Sequence, residues 1–254
     1  MKVWFVGAGP GAPDLITVRG AELVARCPVV LYAGSLVPRA VVARARPDAL
    51  VLDSAGMTLD QIVEVFVEAR RRDQDVARVH TGDPSLFGAI GEQLRRLDAL
   101  GIEHEVVPGV SSFTAAAAAL QCELTLPGVS QAVIVARAAG RTPVPAGQEL
   151  AALAQHRATL ALFLSAGLLE EAVAALAPAY GAGCPAAIVH RASWPDQRVL
   201  RGRLEELPAL ARAHGIGATA MVLVGQALGA GEFPDSRLYA AEFAHGFRTP
   251  EVEP

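Results

Sequence analysis

Apolar and polar positions alternate in blocks along the first half of the chain. Short apolar runs, typical of buried strands, occupy residues 3–6, 29–32, 50–52, 76–79 and 105–107. Between these runs, apolar residues recur at helical spacing over residues 17–25, 58–71 and 85–97. Alternating strands and helices are typical of a mostly parallel sheet that is covered by helices. The pattern therefore predicts an α/β domain in this half.

Two of these helices carry start signals. Thr58 and Gln61 have the spacing of a capping box, which predicts a helix that begins directly after Thr58. Ser85 follows a Gly82-Asp83-Pro84 turn, and it is the predicted N-cap of the helix over residues 85–97.

The second half of the chain has a different order of elements. Strand-like runs lie at residues 131–136, 159–164, 186–190, 198–200 and 220–224. The close spacing of the third and fourth runs predicts a hairpin, and therefore a mixed sheet. Residues 168–176 predict a helix, and residues 140–147, rich in Gly and Pro, predict an exposed loop. We predict two α/β domains, 1–112 with a mostly parallel sheet and 113–254 with a mixed sheet.

Composition and charge exclude several classes of function. The 254 residues are 52% hydrophobic and 19% charged, with a net charge of −4, which is typical of a globular protein. A nucleic-acid-binding protein is expected to carry a basic domain, and the longest basic block here is residues 70–72. No apolar run reaches the roughly 18 residues of a membrane span. We therefore expect no nucleic-acid partner and no membrane partner.

The cysteines and histidines form no metal-binding pattern. Cys27, Cys122 and Cys184 are isolated and odd in number, which indicates a reducing compartment. The six histidines lack an H-E-x-x-H spacing, so we predict no metal site. Met1-Lys2 leads directly into the first predicted strand, and we expect a cytoplasmic protein without a signal peptide.

A glycine-rich turn at residues 7–12 follows the first predicted strand. It fits the dinucleotide fingerprint G-x-G-x-x-[GA], which would indicate a flavin or nicotinamide oxidoreductase. Such an enzyme needs a carboxylate at the end of strand 2, where residues 31–35 are Leu-Tyr-Ala-Gly-Ser. Pro13 and Asp14 also interrupt the helix that would hold the pyrophosphate. The sequence therefore disfavours a dinucleotide enzyme, and a tight turn without a ligand is a further alternative.

A second turn, Gly82-Asp83-Pro84, follows the strand at residues 76–79. Both turns are expected at the carboxyl edge of an open α/β sheet, where such sheets bind ligands. Asp83 is suited to bind a cation, a ribose or an amino group, and it could also cap the next helix. His80 could orient a carboxylate or accept a proton, and a buried, hydrogen-bonded histidine is equally compatible with this position.

The chain resembles the tetrapyrrole methylase family, whose members transfer a methyl group from S-adenosylmethionine. The resemblance covers nearly the whole chain and is carried by residues 31–38, 80–88, 107–114, 123–127, 129–131 and 140–143. The Tyr-Ala-Gly-Ser-Leu and Gly-Arg-Thr-Pro segments are features of the subgroup that methylates carbon 11 of precorrin-4. Five positions depart from the family pattern: Ala12 stands where aspartate is usual, Gly128 where glutamate is expected, and Phe87 where tyrosine is more usual, while Ala136 and Ala139 replace polar residues.

The resemblance implies two α/β domains with S-adenosylmethionine in the cleft between them, and a homodimer. It implies conversion of precorrin-4 to precorrin-5 in cobalamin biosynthesis. A cobalt-containing substrate, another ring carbon of the corrinoid, or a non-catalytic binder of tetrapyrrole or S-adenosylmethionine are alternatives. Tail aromatics could contribute to the dimer: Phe233, Tyr239, Phe243 and Phe247. The positions that match the family's cofactor contacts are Pro10, Gly82, Asp83, Pro84, Ser111, Ser112, Leu164, Ala192 and Ala220.

The implied substrate is a polycarboxylate, and guanidinium groups bind carboxylates in bidentate geometry. An acidic chain must therefore gather its arginines locally around such a substrate. The candidates for substrate binding are Arg19, Ser35, Arg39, Arg137 and Arg141. The candidates for a catalytic role are His80, Arg19 and Arg39.

Overall fold

A computed structural model describes residues 1–240 and 243–249, with Tyr239 described by its backbone alone. The chain divides into two compact units. Unit 1 comprises Met1–Leu120, Val189–Val199 and Ala218–Met221. Unit 2 comprises Gln121–Ile188, Leu200–Gly217 and the chain from residue 222 onward. The domain boundary expected after residue 112 stays a prediction.

The first sheet has five strands, all in unit 1, in the order β3-β2-β4-β1-β5. Every adjacent pair is parallel, which confirms the expected α/β class. The strands are β1 Lys2–Gly7, β2 Val29–Tyr32, β3 Leu50–Asp53, β4 Val76–His80 and β5 Glu103–Val107. The helices are α1 Val18–Arg26, α2 Arg39–Val42, α3 Leu59–Arg71, α4 Gly91–Ala99 and α5 Ser112–Leu120.

This sheet buries both of its faces. On one face, Val6 and Val79 pack with Val24 of α1. On the other face, Phe5 packs with Phe66 of α3 and other apolar side chains. Residues on both faces of a parallel sheet are apolar because helices cover each face, which is why the strands appear as continuous apolar runs.

The second sheet has the strand order β6-β7-β10-β8-β9. Strand β6 runs parallel to β7, whereas β10 runs antiparallel to β7, so the sheet is mixed as expected. The strands are β6 Val133–Arg137, β7 Thr159–Phe163, β8 Pro185–His190, β9 Arg198–Arg203 and β10 Ala220–Val224. The helices that follow α5 are α6 Leu150–Leu153, α7 Leu169–Tyr180 and α8 Leu207–Ala213.

One predicted helix begins in the wrong place. The helix expected over residues 85–97 begins only at Gly91, so Ser85 is not its N-cap. The backbone of Phe87 (φ 54°) and Ala89 (φ 48°) adopts the left-handed region, which a right-handed helix cannot include. Residues 84–90 therefore form a loop after β4. The capping box of Thr58 and Gln61, by contrast, is confirmed at the start of α3.

Candidate functional site

Three loops meet at the carboxyl edge of the first sheet. They follow β4, β1 and β5, three consecutive strands in the order of that sheet. The Ala8 N–H donates to the His80 carbonyl at 2.7 Å. Gly9 and Gly82 exchange two backbone hydrogen bonds of 3.2 and 2.8 Å, so the first and second turns are paired directly. The sequence predicted both turns at this edge, and the structure brings them into contact.

Two glycines allow this approach because they lack a side chain. A Cβ atom on Gly7 would lie 2.6 Å from the Gly109 Cα and 2.7 Å from the Gly82 carbonyl oxygen. Real Cβ atoms do not approach backbone atoms this closely. The ends of β1 and β5 can therefore pack backbone against backbone only with glycine at residues 7 and 109.

Gly82 differs from the other two. Its backbone is left-handed (φ +61°), yet a Cβ there would lie no closer than 3.7 Å to other atoms, at the Ser112 N. A Cβ there would be in ordinary van der Waals contact with residues 110–112, so the second turn packs against the start of α5. The N-terminus of a helix offers free N–H groups and a positive dipole end, which together favour an anion. The start of α5, next to the second turn, therefore suits the carboxylate of an amino-acid-like ligand.

Asp83 ties the second turn to the loop after β5. Its Oδ1 accepts from the Ser85 N–H at 2.8 Å, and its Oδ2 accepts from the Gly109 N–H at 3.0 Å. Partial burial raises the pKa of this carboxyl, but the backbone hydrogen bonds from Gly109 and Ser85 outweigh it and the pKa is lowered overall. Asp83 is therefore ionised at neutral pH, and each oxygen keeps a lone pair for a further donor.

His80 is a neutral side chain below these loops. Its side chain stacks on Phe5, with the ring centroids 5.9 Å apart, and the residue is 5% exposed. Burial, helped by the charge of Arg78, lowers the pKa of His80 to about 3. Its Nε2 has no hydrogen-bond partner among the described residues. A histidine with so low a pKa is a weak base, which favours a structural role over proton acceptance.

Arg78 is a buried cation beside His80. Its guanidinium donates to Ser54 Oγ at 2.8 Å and to Gln93 Oε1 at 3.2 Å. Burial lowers the pKa of Arg78 to about 10, so it stays charged at neutral pH. Within the described residues its hydrogen-bond acceptors are uncharged. Arg78 therefore keeps the local potential positive, which helps to hold His80 neutral.

The β8–β9 connection contributes contacts that the sequence did not predict. The Trp194 indole N–H donates to the Pro10 carbonyl at 2.9 Å, and the Ala12 N–H donates to Ser193 Oγ at 2.9 Å. The Arg191 N–H donates to the Thr219 carbonyl at 2.9 Å. Ser193 and Trp194 lie more than 180 residues from their partners in the first turn, and nothing local in either segment indicates the pairing. All of these residues belong to unit 1.

Most of the residues expected to bind the cofactor share unit 1. These are Pro10, Gly82, Asp83, Pro84, Ser111, Ser112, Ala192 and Ala220. Ala192 and Ala220 were expected from the second domain, yet their segments lie within this unit. Leu164 belongs to unit 2 and is 67% exposed with a left-handed backbone (φ 54°). The assignment of these nine residues to cofactor binding stays a prediction.

The candidate substrate residues have different surroundings. Arg19 pairs with Glu105 of β5 and lies over the Trp4 ring, so its charge is already partnered. Arg137 donates to the carbonyl oxygens of Ala138, Thr142 and Pro143, and so shapes its own loop. Three candidates are exposed: Ser35, Arg39 and Arg141. Among the described residues, neither Arg39 nor Arg141 has an ion-pair partner.

The described part of the chain shows neither a metal cluster nor a membrane-spanning helix. No cluster of three or more His, Cys, Asp or Glu side chains there could hold a metal ion. Within the same residues, no helix combines the length and apolar character that crossing a bilayer requires. The expectation that no metal takes part stays a prediction.

Known proteins resemble this chain over most of its length. A precorrin-4 C(11)-methyltransferase from Pseudomonas aeruginosa is 53% identical over 251 residues, which cover 99% of this chain and 100% of that protein. The solved structure of CbiF, a cobalt precorrin-4 methyltransferase, is 45% identical, with a TM-score of 0.88 and coverage of 90% of this chain and 96% of that one.

A uroporphyrin-III C-methyltransferase from Thermus thermophilus, solved with S-adenosyl homocysteine, is 29% identical. The match covers 90% of this chain and 99% of that protein's chain, with a TM-score of 0.75. Residues 2–208 match the family model of the tetrapyrrole (corrin/porphyrin) methylases. The chain belongs to the tetrapyrrole methylase family.

Proposed function

We propose that this chain methylates carbon 11 of precorrin-4, using S-adenosylmethionine, in the biosynthesis of cobalamin. The observation that carries the cofactor half of this proposal is the ionised Asp83, which accepts the Ser85 and Gly109 N–H groups close to the N-terminus of α5. The identity of 53% to a precorrin-4 C(11)-methyltransferase over its whole length supports the substrate and the ring carbon.

The chemistry of the loops fits the amino-acid end of S-adenosylmethionine. The N–H groups at the start of α5, near Ser111 and Ser112, suit its carboxylate. The ionised Asp83 suits its ammonium group. The related Thermus thermophilus structure that contains S-adenosyl homocysteine supports this class of ligand. We propose that Pro10, Pro84, Leu164, Ala192 and Ala220 contribute the remaining contacts, mainly through backbone groups.

The bound sulfonium supplies an electrophilic methyl group, so the protein needs neither a metal nor an activated water for the transfer. The residues of this chain hold the two reactants in line, and such positioning can supply on the order of 7–11 kcal/mol of the barrier. Positive charge disperses as the methyl group leaves, which a site of low polarity favours. Because His80 is neutral, it adds no further charge to that of the buried Arg78 guanidinium.

Arg39 is our preferred residue for binding a substrate carboxylate. It begins α2, shortly after the turn that contains Ser35, and it has no ion-pair partner among the described residues. The turn itself is fixed because the Gly34 N–H donates to Asp53 Oδ1 at 2.9 Å. Arg19 and Arg137 already hold protein acceptors, so binding substrate through them would break existing contacts. Arg141 is exposed on the Gly-Arg-Thr-Pro loop and is a second candidate.

We further propose a cytoplasmic homodimer. The three cysteines are free, which suits a reducing compartment. Phe233, Phe243 and Phe247 of the tail are exposed apolar side chains that could pack on a second copy. The side chain of Tyr239, which we expected to join them, lies outside the described residues.

Calorimetric titration with S-adenosyl homocysteine tests the cofactor site. The wild type should bind, and Asp83→Ala should bind at least tenfold more weakly, because it loses both the charge and the tie to Gly109. Asp48→Ala is the matched control, since Asp48 is an exposed carboxylate in an ion pair with Arg46. Equal affinity in the wild type and Asp83→Ala would refute the proposed role of this residue.

Turnover then tests the substrate. Precorrin-4 and cobalt-precorrin-4 are offered separately with S-adenosylmethionine, and the product is located by NMR of a ¹³C-labelled methyl group. We expect the label at carbon 11 with precorrin-4. A label on another ring carbon, faster turnover of the cobalt form, or binding without turnover would each favour one of the alternative functions.

A further inference from the structure

Ser193 and Trp194 form a clasp on the first glycine turn. Trp194 donates its indole N–H to the Pro10 carbonyl, and Ser193 accepts the Ala12 N–H, each at 2.9 Å. Between these two bonds lies Gly11, where an added Cβ would run into the Trp194 ring. The clasp therefore contacts the backbone of three consecutive residues of the turn, 10–12.

The clasp is itself held in an uncommon conformation. Arg191 (φ 49°) and Ser193 (φ 70°) both have left-handed backbones, a conformation that residues other than glycine rarely adopt. The Gln197 side chain accepts the Ser193 N–H at 2.7 Å, and the Arg191 guanidinium lies 5.3 Å from the Trp194 ring centroid. Asp196 fixes Arg191 by an ion pair of 2.6 Å. Strain that the surroundings maintain in this way is concentrated at functional sites.

The first turn depends on the clasp for its polar partners. Pro10 and Pro13 restrict the turn, but the donor to the Pro10 carbonyl and the acceptor of the Ala12 N–H both lie outside it. Position 12 has no polar side chain of its own, so the turn cannot replace these bonds internally. Without the clasp, residues 10–12 would sample more conformations before a ligand could bind, and the apparent affinity would fall accordingly.

We propose that Ser193 and Trp194 are positioning residues of the cofactor site, which hold residues 10–12 in the conformation that binds S-adenosylmethionine. This inference rests on the proposed function. The two residues act through the turn, on cofactor affinity rather than on the tetrapyrrole.

Trp194→Phe and Ser193→Ala test the clasp, because each removes one hydrogen-bonding group and little volume. Each should weaken S-adenosyl homocysteine binding by roughly three- to tenfold, the effect of one hydrogen bond. Each should raise the KM for S-adenosylmethionine and leave the KM for precorrin-4 unchanged. Trp4→Phe is the matched control, since it removes the other tryptophan of the chain from the same unit. Circular dichroism establishes that every variant is folded.

Fluorescence gives a readout that a merely structural role would not move. In Trp4→Phe protein, Trp194 is the sole tryptophan, and its emission should shift on titration with S-adenosyl homocysteine. If the Trp194→Phe and Ser193→Ala variants both fold and both keep wild-type affinity and KM values, the clasp proposal alone is overturned. A wild type that does not bind S-adenosyl homocysteine would overturn the proposed function, and the clasp proposal with it.

Discussion

Single backbone atoms determine the shape of the candidate site. The Gly82 carbonyl, the Gly109 Cα and the Gly7 Cα lie so close together that no side chain fits at residues 7 or 109. Asp83 adds a charged hydrogen bond to the same cluster, at the Gly109 N–H. The packing of the loops therefore depends on two glycines, which have no side chain, and on the single carboxylate of Asp83.

Gly109→Ala tests this close packing. The new Cβ would lie 2.8 Å from the Gly7 Cα, which forces the strand ends apart, and overpacking of this kind costs about 1–3 kcal/mol. The urea midpoint should fall, and binding of S-adenosyl homocysteine should weaken with it. Gly91→Ala is the control, because an added Cβ there meets nothing within 4 Å and alanine favours the helix. Equal midpoints for the two variants would contradict the prediction.

The low pKa of His80 predicts that the protein loses stability in acid. Its pKa is about 3 in the folded protein against an ordinary 6.5, so the unfolded chain binds the proton more readily. His80 therefore stabilises the fold above pH 6.5, and this contribution is lost as the pH falls towards 3. Between pH 7 and pH 5 the loss should be about 2 kcal/mol.

Replacing His80 with a residue that does not titrate isolates this effect from the carboxylates. The free energy of unfolding of His80→Gln should depend less steeply on pH than that of the wild type over the same interval. Urea titrations at pH 7, 6 and 5 measure both slopes. Parallel slopes would mean that His80 is not buried as a neutral side chain.

At the scale of the helix, the capping box of α3 has a measurable contribution. The Thr58 hydroxyl accepts the Gln61 N–H at 3.3 Å, and the Gln61 side chain accepts the Thr58 N–H at 2.8 Å. Thr58→Ala should destabilise the chain by about 1 kcal/mol, the usual cost of losing an N-cap. Thr58→Ser keeps the hydroxyl and should retain most of the stability. Thermal unfolding of the three proteins distinguishes a cap from a position where any small residue suffices.

Local patterns predicted the elements well because each signal lay within the element. The inner strands of the first sheet are mostly apolar since helices cover both faces, and the box at Thr58 needs only four residues. The start of α4 was missed because the left-handed backbones of Phe87 and Ala89 belong to the loop that packs after β4. The clasp was missed because Trp194 finds Pro10 across 184 positions of sequence. Pairings at that separation are set by the tertiary fold.

At the scale of the whole molecule, the protein is acidic and the proposed substrate is a polycarboxylate. The net charge of −4 repels such a substrate at long range, whereas an unpaired arginine attracts it locally. Salt screens the long-range interaction beyond a Debye length of about 8–10 Å. Local and overall electrostatics can therefore be separated by changing the same amount of charge at two positions.

Arg39→Glu and Arg46→Glu change the net charge equally. Arg46 is an exposed residue paired with Asp48, so its reversal changes the net charge and breaks one surface ion pair, which contributes little to stability. Arg46→Glu should raise the KM for precorrin-4 less than twofold. Arg39→Glu should raise the KM for precorrin-4 by tenfold or more. The variant loses a charge-assisted contact, and the new carboxylate would repel the carboxylates of the substrate. Initial rates at two salt concentrations measure both effects, and equal KM values for the two variants would assign the repulsion to net charge and remove Arg39 from the substrate site.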